Sequence, residues 1–142
     1  MSDSTNNRES LPDALPEALV GRVPTLAVIA MPADTNAHGN IFGGWIMSQM
    51  DLASAQKAIE VTGQSIVTRV ATISFEKPAN VGDKVCLFTE VGRIGTTSIT
   101  IHVDVWALRR ASHRYEKVGH GEFVFVAIDA SKNKTAIIIQ KS

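Results

Sequence analysis

Apolar positions along this chain alternate with period two or form short unbroken runs, except in one long block that does neither. Thr25 to Met31 (TLAVIAM) is a short apolar run stopped by Pro32, which predicts a buried strand. From Gly44 to about Val61, apolar groups (Trp45, Ile46, Met47, Met50, Leu52, Ala53, Ala55, Ala58, Ile59) occur nearly all round a helical wheel. With Ala, Met, Gln, Lys and Glu and no Pro, this block predicts a largely buried helix ~27 Å long. Gly63 is its expected stop. Four β-rich segments follow: Ser65 to Phe75, Lys84 to Arg93, Thr97 to Arg109 and Tyr115 to Asp129, with SITIHVDVW alternating strictly.

The predicted order is one strand, one long helix, then an antiparallel meander. That is an α+β domain, with about five to six strands curved around the helix. Such a sheet leaves edge strands open, and pairing between subunits would cover them, so a homodimer at least is expected. Residues 1–22 are polar, with Pro12 and Pro16, and predict a flexible N-terminal arm carrying at most a helical turn around Leu15 to Val20. Residues 23–142 then form a single domain. Between the first strand and the helix lies PADTNAHGNIFGG, a loop too long for a tight turn and of the kind that carries function.

Composition narrows the function classes. Fourteen basic residues balance fourteen acidic ones, without a long basic run, which argues against nucleic-acid binding. Apolar runs are far shorter than the ~20 residues a membrane helix needs, and the N-terminus lacks the pattern of a secretory signal. The lone cysteine, Cys86, excludes an internal disulfide and points to a reducing compartment, the cytoplasm. Without HExxH or a close His/Cys pair, no metal site is expected.

Asp51 is the most informative residue. It lies mid-helix between Met50 and Leu52, where an unpaired carboxylate is costly. Either it is exposed or satisfied by Ser48 or Ser54, or it is a desolvated base or nucleophile. Gly43-Gly44 opens the helix, where N–H groups lack intrahelical partners and favour negative charge, as in an oxyanion hole. Asp51 lies ~12 Å along the axis from Gly43, too far for both to touch one carbonyl unless the side chain leans back or a second subunit supplies one partner. Asn36 and Asn40, in the preceding loop, suit either turn chemistry or holding a water. His38 reads as a loop residue, and His102 and His120 as strand-surface residues. Cys86 reads as a structural thiol. Arg109, Arg110, His113, Arg114 and Lys117 form a basic hairpin end, read as a solvated face with phosphate contact as the alternative.

The stretch Met31 to Asp51, MPADTNAHGNIFGGWIMSQMD, resembles the YciA-type acyl-CoA thioesterases of the hotdog-fold superfamily, relatives of the brain-type acyl-CoA hydrolases. FEKPANVGDKV, SITIHVDVWA and FVFVAID extend the resemblance over about Thr25 to Asp129. It implies a hotdog fold with active sites at a dimer interface. By position, the catalytic acid matches Asp51 and the water-positioning Asn matches Asn36, from opposite subunits. The glycine N–H that polarises the thioester carbonyl matches Gly43 or Gly44. Substrate and CoA contacts are expected from Asn40, Phe42, Ser74, Lys77 and Thr97. The chain departs from the family where a second-strand carboxylate appears as Ala71, where Val28 replaces an arginine, and where Arg-(T/S)-S appears as Thr96-Thr97-Ser98.

These readings predict hydrolysis of acyl-CoA to a carboxylate and CoA, with no cofactor or metal. The expected assembly is a homodimer or a trimer of dimers. Two rivals stand beside it: a hotdog enoyl-CoA hydratase or dehydratase using His38 with Asp51, and a non-catalytic acyl-CoA-binding module, for which Ala71 speaks.

Overall fold

A computed structural model describes residues 15–140. Helix α1 spans Gly43–Thr62, and the strands are β1 (Leu26–Ile29), β2 (Ser65–Phe75), β3 (Lys84–Ile94), β4 (Ser98–Leu108) and β5 (Tyr115–Ile128). All pairings are antiparallel, in the order β1-β3-β4-β5-β2. This is the curved five-strand sheet around one helix that the resemblance implied. Gly63 ends α1 with φ 65°, the left-handed turn a glycine makes cheaply.

One detail of the topology differs from the sequence expectation. Only β3, β4 and β5 form a meander, and β2 pairs with β5 at the far edge. Residues 76–83, which include Pro78 and Gly82, carry the chain from edge strand β2 across to β3, one strand in from the opposite edge, too long a path for a hairpin turn.

The period-two pattern sorts β4 as predicted, and part of β5 follows it. Ile99, Ile101, Val103, Val105, Phe123 and Phe125 are buried towards α1, together with Ile46, Met50, Ala53 and Ala58 from the helix. Gly121 lets α1 and β2 approach. A Cβ there would lie 3.0 Å from Met50 Cε and 2.8 Å from the Thr72 carbonyl oxygen. The helix is not buried all round in one chain, because one sheet covers one face only. Met47, Leu52 and Ile59 on the other side are 42–51% exposed.

The described part of the predicted arm begins at Leu15; residues 1–14 lie outside the described residues, as do 141–142. Glu17–Leu19 form a short 3-10 helix, and Leu19 is buried with Cys86 and Phe88 on the outer sheet face. Burial pushes the Cys86 thiol up, against a smaller opposite pull from Lys84, which fits a structural role. The isoleucine-rich C-terminal stretch is tied down. Ile137 N–H donates to the Thr96 carbonyl (2.8 Å) and Gln140 N–H to that of Val61 (2.8 Å), while the Gln64 side chain bonds Ala136 and Ile138. No helix among the described residues is long and apolar enough to cross a membrane.

Candidate active site

The loop before α1 folds around the Asn36 side chain. Its Oδ1 accepts from the N–H groups of His38 (2.9 Å) and Asn40 (3.2 Å), and Asn36 N–H donates to the Asn40 carbonyl (2.7 Å). The carboxamide oxygen is thereby used within the loop. The Nδ2 amino group, a donor only, hydrogen-bonds nothing among the described residues. Two further bonds seat the helix start: Phe42 N–H to the Asp34 carbonyl (2.9 Å) and Ile41 N–H to that of Ala79 (3.0 Å).

The helix start is uncapped by any side chain. Trp45 and Ile46 N–H both donate to the Phe42 carbonyl, at 3.1 and 3.3 Å. The orphan donors therefore reduce to Gly43 and Gly44, with no acidic residue in the first turn to compete for them. Gly43, Asn36, Asn40, Ile41, Ile46, Phe75, Glu76, Lys77 and Pro78 line one cleft of about 330 Å³. Phe75 forms a wall of it, its ring 3.5 Å from where a Gly43 Cβ would stand.

Asp51 lies elsewhere in the same chain. It lines a separate depression of about 280 Å³ with Met47, Ser48, Thr68, Ala71, Ile73 and Phe123. It is the only ionisable group there among the described residues. Neither serine considered from sequence satisfies it: the Ser48 hydroxyl donates to the Trp45 carbonyl (2.7 Å), and the buried Ser54 hydroxyl has no partner among the described residues. Instead Thr68 Oγ1 donates to Asp51 Oδ1 at 2.8 Å. The β2–β5 register shifts between Thr68 and Val70, beside this hydroxyl. Asp51 is part-exposed in the single chain rather than desolvated.

The structure thus brings together Asn36, Asn40, Gly43 and Lys77, with Asp51 in a second depression. Gly44 follows at the helix start, and Phe42, its N-cap, is exposed. Ser74 is placed differently: it lines an outer-face depression with Thr72, His102, Asp104, His120 and Glu122, because alternation along β2 turns it away from α1. Thr97 lies at the β3–β4 turn, where its carbonyl accepts from Ala127 N–H, beside the segment that ties down Ile137. Neither belongs to the two clefts of one chain. His38 lines neither cleft. Among the described residues no three His, Cys, Asp or Glu side chains are arranged to hold a metal.

Sequence reasoning missed three participants. Thr68 and Phe75 were hidden because their roles depend on which face of β2 they occupy. The third is the hairpin end read as a solvated face. Arg109 is in fact buried, donating from Nη1 to the buried Asp83 (2.6 Å) and from Nε to Glu116 (2.9 Å). Burial works against its charge, but the bonds to Glu116 and Asp83 outweigh this and hold its pKa above the ordinary value. A buried carboxylate this deep needs such a partner, and the V-G-D sequence ahead of β3 was the available signal.

Residues 38–112 match the family model described as the thioesterase superfamily. The acyl-CoA thioester hydrolase YciA of Salmonella typhimurium is 42% identical over 120 residues, spanning 81% of this chain and 90% of that protein. Among solved structures, HI0827, a hexameric broad-specificity acyl-coenzyme A thioesterase, superposes with a TM-score of 0.77 at 41% identity, over 82% of this chain and 86% of that one. That structure carries an aspartate-to-alanine substitution. Cj0915, a hexameric hotdog-fold thioesterase of Campylobacter jejuni, gives a TM-score of 0.77 at 37% identity, over 82% of this chain and 90% of that one.

Proposed function

The chain belongs to the YciA-type acyl-CoA thioester hydrolases of the thioesterase superfamily, with their hotdog fold, and from that premise we propose a site built by two subunits, Asp51 from one and Asn36 with Gly43 from the other. The observation that carries this reading is the separation of the two groups: within one chain they line different clefts, and the lone carboxylate of its apolar depression has no carbonyl-polarising group beside it.

In the proposed reaction, the thioester carbonyl lies in the helix-start cleft and its oxygen accepts from Gly43 N–H. Asn36 Nδ2 donates to the oxygen of a water molecule. Asp51, held through Oδ1 by Thr68, takes a proton from that water on its free oxygen. A C–O bond forms as the carbonyl π electrons move to oxygen; the tetrahedral intermediate then collapses and breaks the C–S bond. The proton on Asp51 passes to the leaving thiolate, giving CoA–SH and a carboxylic acid, which loses its proton to solvent to become the carboxylate. No cofactor takes part.

Dimer formation supplies the second cover that α1 lacks. Met47, Leu52 and Ile59 on the helix and Val67 and Val70 on edge strand β2 are each about half exposed. Covering them contributes roughly 1 kcal/mol apiece, and pairing β2 removes an open edge. We extend the assembly to a hexamer, the state named for HI0827 and Cj0915. A reducing cytoplasm suits the free thiol of Cys86.

The test is thiol release from a panel of acyl-CoAs by the wild type and by Asp51→Ala. Loss of an acid–base group lowers kcat by at least ~100-fold. Near-normal turnover in the variant would refute the assignment. Acyl-CoA binding without thiol release by the wild type would favour a binding module instead.

A further inference from the structure

Among the described residues, Lys77 is the only cation lining the helix-start cleft, which also holds one carboxylate, Glu76. Its ammonium is not free to sweep the surface: Nζ donates to Glu116 Oε2 at 2.6 Å. The other oxygen of that carboxylate accepts from Arg109 Nε at 2.9 Å, and Arg109 Nη1 reaches Asp83 at 2.6 Å. Asp83 is buried and anchored in turn by the backbone N–H of Asn80 (2.8 Å). The chain of contacts runs from a buried pair outward to a single lysine at the cleft.

We propose that Glu116 is a positioning residue, held by Arg109 and Asp83, that fixes Lys77 at the cleft so that it meets the phosphate groups of acyl-CoA. The inference rests on the reading of that cleft as the thioester site and names one of its substrate contacts. Glu116 occupies one of the three ammonium donors and leaves two for a phosphate. A free lysine would lose most of its rotamer freedom on binding; one already restrained by Glu116 loses less. The paired charges Asp83, Arg109, Glu116 and Lys77 sum to zero, so the chain contributes geometry more than net attraction. The carboxyl of Glu116 is held below its ordinary pKa, first by the Lys77 bond and then by Arg109, and so stays ionised at neutral pH.

The test is steady-state kinetics on the full chain with one acyl group on two carriers, CoA and N-acetylcysteamine; the second has no phosphate. Glu116→Ala is expected to raise KM for the CoA ester roughly three- to ten-fold, the cost of immobilising one long side chain, with kcat within two-fold. The N-acetylcysteamine ester shows no change. Glu116→Gln, which keeps an oxygen for Lys77, recovers most of the lost affinity, and Glu116→Ala adds nothing in a Lys77→Ala background. A KM at or below wild type in Glu116→Ala overturns the proposal, and so does an equal loss on both carriers. If Lys77→Ala raises KM while Glu116→Ala does not, positioning fails alone. If neither variant changes KM, Lys77 does not touch CoA. Absence of wild-type turnover on every acyl-CoA would instead overturn the proposed activity.

Discussion

The proposed oxyanion donor can be deleted as a single N–H without disturbing the fold. Gly43 is the first residue of α1, where proline is tolerated because the N–H there has no intrahelical partner. Phe42, which would precede the proline, already has φ −56° and ψ 134°, the extended conformation a following proline imposes. Added atoms at Gly43 face the Phe75 ring, and a Cβ would sit at an ordinary 3.5 Å. Gly43→Pro therefore keeps the helix and is expected to stabilise the protein slightly, by about 0.4–1 kcal/mol, through the unfolded chain. Catalysis loses one of the donors aimed at the developing oxyanion. Such a loss costs about 2.7–4 kcal/mol in the transition state, or 10²–10³ in kcat. The assay is thiol release under saturating acyl-CoA with thermal melts in parallel. Gly43→Ala, which keeps the N–H, is the control and retains most of its kcat. A well-folded Gly43→Pro protein with kcat within three-fold of wild type would refute the assignment of this N–H.

Two further outcomes follow from the geometry. Thr68→Val removes the hydroxyl that holds Asp51 Oδ1 and is expected to lower kcat about ten-fold, the low end for a hydrogen bond to a charged group; Thr68→Ser restores it, and equal losses in both variants would contradict this role. For Glu116, the folded carboxyl pKa lies below 4.5, so its contribution to stability is present above about pH 4.5 and is lost as pH falls through the lower folded value. The melting-temperature gap between wild type and Glu116→Gln is thus expected to hold steady above pH 5 and close below pH 4.5, and a gap independent of pH down to 3 would contradict it.

Much of this architecture can be read from local pattern. The strict alternation in SITIHVDVW puts Ile99, Ile101, Val103 and Val105 inside, and the helix ends at Gly63. Asp51 stands out because a carboxylate is unusual on so apolar a helix, whereas Asn36 and Gly43 suit their places and are singled out by the resemblance. What pattern alone does not give is pairing at a distance. Asp83 and Arg109 lie 26 positions apart and Asp51 and Thr68 17 apart, and each contact depends on strand register that no local window encodes. The all-round apolarity of α1 was legible, but not its reason, since a single chain covers only one side. Ser74, expected among the substrate contacts, is turned to the outer face by β2 alternation, which no short motif reveals.

Complementation between two inactive variants tests the shared site most directly. Asp51→Ala and Asn36→Ala, each inactive alone, are co-expressed in equal amounts and assayed for thiol release. If the two residues serve one site from opposite subunits, half of the two-fold dimers are mixed and each mixed dimer keeps one of its two sites whole, so activity returns to about a quarter of wild type. If both residues act within one chain, every site carries a defect. Mixed oligomers with no more activity than the parents would contradict the account.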